Sequence, residues 1–238
     1  MTAGDIVHGF LRRHVRVLGS VLRVSTSEPV VVMTYDDGPE PGQTEGVLAA
    51  LEARGATATF FLLGRRAQRE PELVRRIAAE GHEIALHGYD HRPLSTFRRG
   101  ELTSRLRDAR AGLEDVAGVP VTWMRPPYGR QSPAAYLAIR RAGLMPVLWG
   151  ATVLDGRDAT TAERLASAMR GATAGTILLC HDGRAGLDDG VDDGEIPPVD
   201  RGRLAGLVLD EFASRGLRGV SLADALVAGS AVRRAWFG

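Results

Sequence analysis

Short apolar runs recur along this chain of 238 residues, each followed by a stretch with helical spacing, and that alternation leaves few folds open. The first run, Val30-Val31-Val32-Met33, is β-branched and shows no polar alternation. That is the pattern of a strand buried on both faces. Further strands are read over 57–63, 83–86, 121–124, 145–149, 176–180 and 217–220, seven in all. Helices are read over 43–54, 71–80, 100–116, 133–142, 161–172 and 203–214, with a last one starting at Ser221. Gly55 and Gly81 stop two of them, and Pro71 opens one, as glycine after a helix and proline in its first turn do. Strand–helix alternation implies a parallel sheet with right-handed crossovers. Ahead of it, Ile6, Phe10, Leu11, Val17, Val21 and Leu22 recur at three-to-four spacing, with Arg12, Arg13 and Arg16 on another face. This predicts an amphipathic helix over 5–24 that either packs on the domain or rests on a membrane surface. The expected division is therefore an N-terminal helix, 1–28, and a single α/β domain, 29–238.

Five of the strand ends carry chemistry. The first run ends in Asp36-Asp37-Gly38-Pro39. Two like charges at a strand end are costly unless neutralised, and a metal ion would leave one carboxylate to act as a base. Asp-Asp-Gly-Pro alone fits a solvated turn as well, so the decision rests on whether ligands appear elsewhere. They do: the run 83–86 leads into His87-Gly88-Tyr89-Asp90-His91. Two imidazoles four apart reach one ion from a helical turn or a tight loop. The other three are Arg125-Pro126-Pro127-Tyr128-Gly129, then Trp149 with Asp155 six residues on, then Leu178-Leu179-Cys180-His181-Asp182.

In this order the five motifs resemble the polysaccharide deacetylase family (carbohydrate esterase family 4, the nodulation-deacetylase homology domain). The resemblance runs from about Val30 to about Leu222. It implies a distorted (β/α)7 barrel with the motifs at the C-terminal ends of the strands. It implies a divalent metal held by Asp37, His87 and His91; zinc suits that donor set, with cobalt, nickel and manganese left open. Asp36 matches the general base and Arg125 the arginine that orients it. Tyr128 matches the residue whose backbone N–H helps form the oxyanion hole. His181 matches the general acid, and Asp155 the carboxylate that tunes it, with Asp158 as a nearby alternative. Leu179 matches a pocket leucine against the acyl methyl. Tyr89, Tyr128 and Trp149 are the aromatic candidates for sugar contact. The reaction implied is removal of an N-acetyl group from an amino sugar. A cyclic amide or ureide substrate, and a catalytically silent carbohydrate-binding version, are the alternatives.

Two positions depart from the family pattern. Gly88 stands where a serine or threonine is usual, so a hydroxyl supporting the metal loop is missing unless Tyr89 or Thr96 replaces it. Gly156 stands where a tryptophan walls the acyl pocket, which predicts a wider pocket and acyl groups larger than acetyl. The remaining bounds come from composition. A net charge of +1 argues against a nucleic-acid binder. The single cysteine, Cys180, excludes an intrachain disulfide and is expected to pack rather than react. Residues 1–27 hold no apolar run of signal-peptide length, and no stretch approaches a membrane span, which predicts a cytoplasmic protein with at most peripheral membrane contact through 5–24. The acidic stretch 183–200 reads as a long loop: a lid over a cationic substrate, a divalent-ion loop, or a solvated loop.

Overall fold

The computed structural model describes residues 19–194 and 198–237. Its strands are β1 (Ser20–Ser25), β2 (Val30–Asp36), β3 (Thr59–Leu62), β4 (Glu83–Leu86), β5 (Trp123–Met124), β6 (Met145–Pro146), β7 (Ala151–Thr152), β8 (Ile177–His181), β9 (Arg218–Val220) and β10 (Ser230–Arg234). Its helices are α1 (Gln43–Glu52), α2 (Gly64–Arg69), α3 (Pro71–Ala79), α4 (Arg99–Ala117), α5 (Pro133–Arg141), α6 (Thr161–Met169), α7 (Arg201–Ser214) and α8 (Leu222–Val227).

All seven residues of β2 are buried, as its unbroken apolar run predicts. One edge of β2 pairs in parallel with β8. On the other edge β9 meets its first half and β3 its second. Beyond β3 come β4, β5 and β6, and beyond β8 comes β7. β6 and β7 therefore end opposite sides of the row, yet only residues 147–150 join them. The sheet has to curl for this to hold, and the result is a distorted (β/α)7 barrel. The expected strand over 145–149 is the bent segment that closes it. Pro146 has no N–H to continue the ladder. Val147 still donates to the Met124 carbonyl (2.8 Å), but Gly150 has switched to that of Ile177 (2.9 Å).

β1 fills the seam left at this bend. Val21 bridges to Val147 and Arg23 to Thr176, and the Leu148 N–H donates to the Val21 carbonyl at 2.8 Å. On its far side β1 pairs antiparallel with β10. The expected helix over 5–24 thus does not extend to its predicted end, because Ser20–Ser25 is strand. A bulge between Val21 and Arg23 resets the strand's alternation. It places Val21 and Val24 on the buried side three apart, a spacing that reads as helical from sequence. The rest of that expected helix, 5–18, lies outside the described residues. At the other end, the helix from Ser221 is short, and β10 was not foreseen; its Ser-Ala-Val-Arg-Arg offers too little apolar character to signal a strand.

The pleat sorts the side chains into two cores. Val31, Met33 and Tyr35 of β2, Phe60 and Leu62 of β3, and Leu178 and Cys180 of β8 face outward into the layer under the helices. Val30 and Val32, Phe61, Ala85 and Ile177 face into the barrel. Side chains alternate along a strand, so the inward parity continues to Thr34 and Asp36, to His87, and to Leu179 and His181. The barrel interior is thus apolar below and charged at the strand ends.

Candidate active site

The inward parity of β2 delivers Asp36, but it would send Asp37 to the other face. Asp37 instead has φ 73, a left-handed conformation that aspartate tolerates better than most residues. The turn brings both carboxylates to one cavity of about 360 Å³. The same cavity is lined by His87, His91, Tyr128, Trp149, Leu179 and His181. Arg125 and Asp155 stand behind it, each fully buried. The structure so brings together every residue singled out for chemistry except Asp158, which is exposed, and Tyr89, which lies outside the lining.

Asp37, His87 and His91 form the one cluster among the described residues with three groups close enough to share a metal ion. Asp37 Oδ1 is 3.4 Å from Nε2 of each histidine. His87 Nδ1 lies 2.8 Å from the Arg125 carbonyl, which can only accept, so Nδ1 carries the proton and Nε2 turns a lone pair to the cluster. Burial pushes His91 down from its ordinary value, toward the neutral ring that a ligand needs. Burial alone would raise Asp37, but the neighbouring imidazoles of His87, His181 and His91 hold it well below the usual carboxylate range. Asp37 Oδ1 is buried without a hydrogen-bond partner. Facing lone pairs with an orphaned carboxylate oxygen among them are what a divalent cation satisfies, and the donor set fits one.

Asp36 is held from behind. Arg125 Nη1 donates to its Oδ1 at 2.6 Å and to Thr34 Oγ1 at 2.9 Å, and Nη2 donates to the Leu148 carbonyl. The guanidinium stacks over Phe61, 4.2 Å from the ring centroid. Asp36 Oδ2 stays directed toward the Asp37–His87–His91 cluster, 3.9 Å from His87 Nε2.

His181 is held in the same way. Its Nδ1 donates to Asp155 Oδ1 at 2.7 Å, and its backbone N–H to Asp155 Oδ2 at 2.8 Å. Arg201 completes the group, donating to Asp155 Oδ2 (3.2 Å) and to the His181 carbonyl (3.0 Å). Burial works against the charged imidazole, but the charge of Asp155 and its hydrogen bond outweigh it and raise His181 to about 9. Asp155 in turn is lowered: burial raises it, and the charge and hydrogen bond of His181 and the charge of Arg201 outweigh burial. Arg201 escaped the sequence reading. Its one signal is position, since a cation in the first turn of a helix opposes the macrodipole unless a partner waits for it.

Tyr128 sits in the short turn Pro127–Gly129 with φ 60, the left-handed region again. Its ring lies against His91, centroids 4.5 Å apart, and its hydroxyl donates to Asp193 at 2.9 Å. Trp149 packs on the same turn; a Cβ at residue 129 would fall 2.6 Å from its ring, so only glycine fits there. At Gly88, φ is 104 and a Cβ would meet the Asp90 carbonyl at 2.9 Å. Neither of the two candidate hydroxyls serves the loop: Tyr89 reaches out to Gln68 and Thr96 bonds the Pro93 carbonyl. Backbone does that work instead, as Gly64 and Arg65 at the start of α2 donate to the Gly88 and Tyr89 carbonyls at 2.8 Å. The first part of the acidic stretch, 183–193, is pinned beside the site. Asp189 is buried and accepts from Arg66 at 2.7 Å, while its carbonyl accepts from the His91 N–H at 3.0 Å. Cys180 is buried in the outer core, and burial pushes its thiol well up. Among the described residues, no helix is long and apolar enough to cross a membrane.

Residues 23–147 match the family model for polysaccharide deacetylase. A peptidoglycan-N-acetylglucosamine deacetylase of Bacillus cereus is 34% identical over 177 residues, 73% of this chain and 82% of that one. A chitooligosaccharide deacetylase of Azorhizobium caulinodans is 32% identical over 168 residues, 70% of this chain and 80% of that one. Among solved structures, a family 4 acetyl xylan esterase from Clostridium thermocellum, in complex with a cobalt ion, superposes with a TM-score of 0.71. It is 26% identical, over 83% of this chain and 90% of that one.

Proposed function

The chain belongs to the polysaccharide deacetylase family, and we propose that it hydrolyses the N-acetyl group of an amino sugar, with a divalent metal at Asp37, His87 and His91. The observation that carries this reading is the register of β2 and β8. Asp36 and His181 are direct partners across the two strands. Each is tied from behind, by Arg125 and by Asp155, so that its remaining face is turned to the cavity. A carboxylate and a cationic imidazole held side by side are a base and an acid kept apart in protonation.

A divalent cation, zinc on this donor set, would polarise the acyl oxygen and make a water more acidic. Asp36 accepts the water's proton through Oδ2, since Oδ1 is committed to Arg125. The water oxygen adds to the acyl carbon, and the backbone N–H of Tyr128 receives the charge that develops on the acyl oxygen. His181 then gives its Nε2 proton to the amide nitrogen as the C–N bond breaks. Acetate and a free amine leave. Leu179 and Trp149 flank the acyl group and exclude water. The curated relatives named above act, by their names, on chitooligosaccharide and on peptidoglycan N-acetylglucosamine. An N-acetylglucosamine-containing oligosaccharide is accordingly the first substrate to offer. The test is acetate release from chitooligosaccharides together with metal content per chain. One metal per chain and acetate lost in Asp36→Asn support the reading. Bound metal with no acetate from any amino sugar would sink it.

A further inference from the structure

The two histidines of the Asp37–His87–His91 cluster differ at their outer nitrogens. His87 Nδ1 has the Arg125 carbonyl at 2.8 Å, an acceptor fixed just past β5. His91 turns Nε2 to Asp37 Oδ1, 3.4 Å away, and its Nδ1 is buried with no hydrogen-bond partner among the described residues. A neutral imidazole that ligates through Nε2 carries its proton on Nδ1. A buried N–H left without an acceptor is costly, and histidines on metals almost always give that proton to a carbonyl, a carboxylate or water. His87 has its carbonyl. His91 lacks the corresponding acceptor.

Asp193 stands where that acceptor is needed, with Oδ2 3.9 Å from His91 Nδ1. About 1 Å of movement closes such a gap to a hydrogen bond. The present bonding of Asp193 leaves room for one. The Tyr128 hydroxyl reaches both of its oxygens, Oδ1 at 3.0 Å and Oδ2 at 2.9 Å, so one proton is shared between two acceptors. Oδ1 alone can keep Tyr128, which leaves Oδ2 to His91. The Tyr128 ring packs on His91, centroids 4.5 Å apart, so the carboxylate that its hydroxyl holds stays beside the imidazole. The same stretch of chain already holds the His91 backbone, whose N–H donates to the Asp189 carbonyl at 3.0 Å. Asp189 is itself fixed by Arg66.

We infer that Asp193 is the outer partner of His91: its carboxylate accepts from Nδ1–H when Nε2 is turned to a divalent cation, and so orients the ring and strengthens it as a ligand. The inference rests on the metal reading of the cluster. Asp193 is outside the three groups close enough to share an ion, so its part is that of a positioning residue. The acidic stretch thereby serves the metal centre from behind. A carboxylate in that place also makes the imidazole a better donor than a carbonyl would.

The test is titration of the metal-free full chain with cobalt(II), followed by visible absorption, and with zinc, followed by calorimetry. Asp193→Ala is expected to bind either ion about 10–100-fold more weakly, the usual cost of losing such a partner. Asp193→Asn keeps an acceptor oxygen without the charge and should recover part of that loss. Tyr128→Phe keeps the ring on His91 and removes the hydroxyl that Asp193 accepts from; its metal affinity should stay within a few-fold of the wild type. The Asp193 side chain is 43% exposed, so the metal-free proteins should melt together. Wild-type affinity in Asp193→Ala would overturn the inference. An equal loss in Tyr128→Phe would do so too, by making Asp193 a latch for Tyr128 alone. So would a fall in metal-free stability that accounts for the lost affinity. Weakened metal binding in Asp193→Ala with no acetate from any amino sugar would sink the deacetylase reading and leave this inference standing. Acetate release with equal metal affinity in the wild type and Asp193→Ala would do the reverse. No metal uptake by the wild type would overturn both.

Discussion

Arg125 touches His87 and Asp36 from opposite ends of one residue: its carbonyl accepts from the His87 Nδ1–H at 2.8 Å, and its guanidinium holds Asp36 at 2.6 Å. A single backbone position therefore sets the tautomer of the proposed metal ligand and the orientation of the proposed base. The two functions separate under mutation, because the carbonyl survives any substitution and the fork does not. Arg125→Lys should keep metal affinity within a few-fold but lower kcat about a hundredfold through misplacement of Asp36. Arg125→Ala leaves a buried carboxylate unpaired and should cost about 3–5 kcal/mol of stability. Metal titration, kcat and chemical denaturation on the two variants check this; loss of metal in Arg125→Lys would contradict it.

His181, the proposed general acid, should set an alkaline limb. Its value is raised from 6.5 to about 9 by Asp155, against burial. A group raised on folding stabilises the fold fully below its unfolded value and loses that contribution as pH rises through its folded one. The excess melting temperature of the wild type over Asp155→Asn should therefore shrink between pH 7 and pH 9. In kcat/KM, the alkaline limb of Asp155→Asn should lie below that of the wild type by at least one pH unit, as one unit answers to about 1.4 kcal/mol of lost interaction. Coincident limbs would remove Asp155 from the role proposed for it.

Metal removal reports on Asp37. A cation present at a hundred times its Kd stabilises the fold by about 2.7 kcal/mol. Scanning calorimetry with and without a chelator should show that shift in the wild type and none in Asp37→Ala. A shift that persists in Asp37→Ala would place the ion elsewhere.

Gly156 bears on the acyl group. A Cβ at this position meets nothing within 4 Å, so the space is open and the backbone accepts a side chain. The wild type is expected to cleave N-butyryl and N-acetyl versions of one amine within about tenfold of each other, a methylene in a pocket being worth about 1–3 kcal/mol. Gly156→Trp should then discriminate against the butyryl substrate more strongly. A strict acetyl preference in the wild type would argue against the wide pocket.

Much of this site was legible because it lies at strand ends. Val30 to Met33 announces a buried strand, and strand parity carries that reading to Asp36 and, on β8, from Ile177 to Leu179 and His181. What parity cannot supply is the break in it. Only the left-handed φ of Asp37 brings that carboxylate to the same face as Asp36. Arg201 and Asp193 were missed as site residues because their partners, Asp155 and Tyr128, are remote in sequence and nothing local marks the contact. β1 reads as helix because a bulge disguises its alternation, and β10 carries no strand signal because most of its side chains meet solvent or its partner strand β1.

The order in which ribosomes make this chain runs against the order in which β1 can be used. Its neighbours are Val147, Thr176 and the strand Ser230–Arg234. At about 5–20 residues per second, the first strand waits some tens of seconds for the last. Until then the edge of β1 that pairs with Ser230–Arg234 stays open, although Val147 and Ile177 already offer Val21 and Val24 a core. A nascent chain halted before residue 230 should accordingly be easily cut by protease near residues 20–25, and become resistant once the final strand is released.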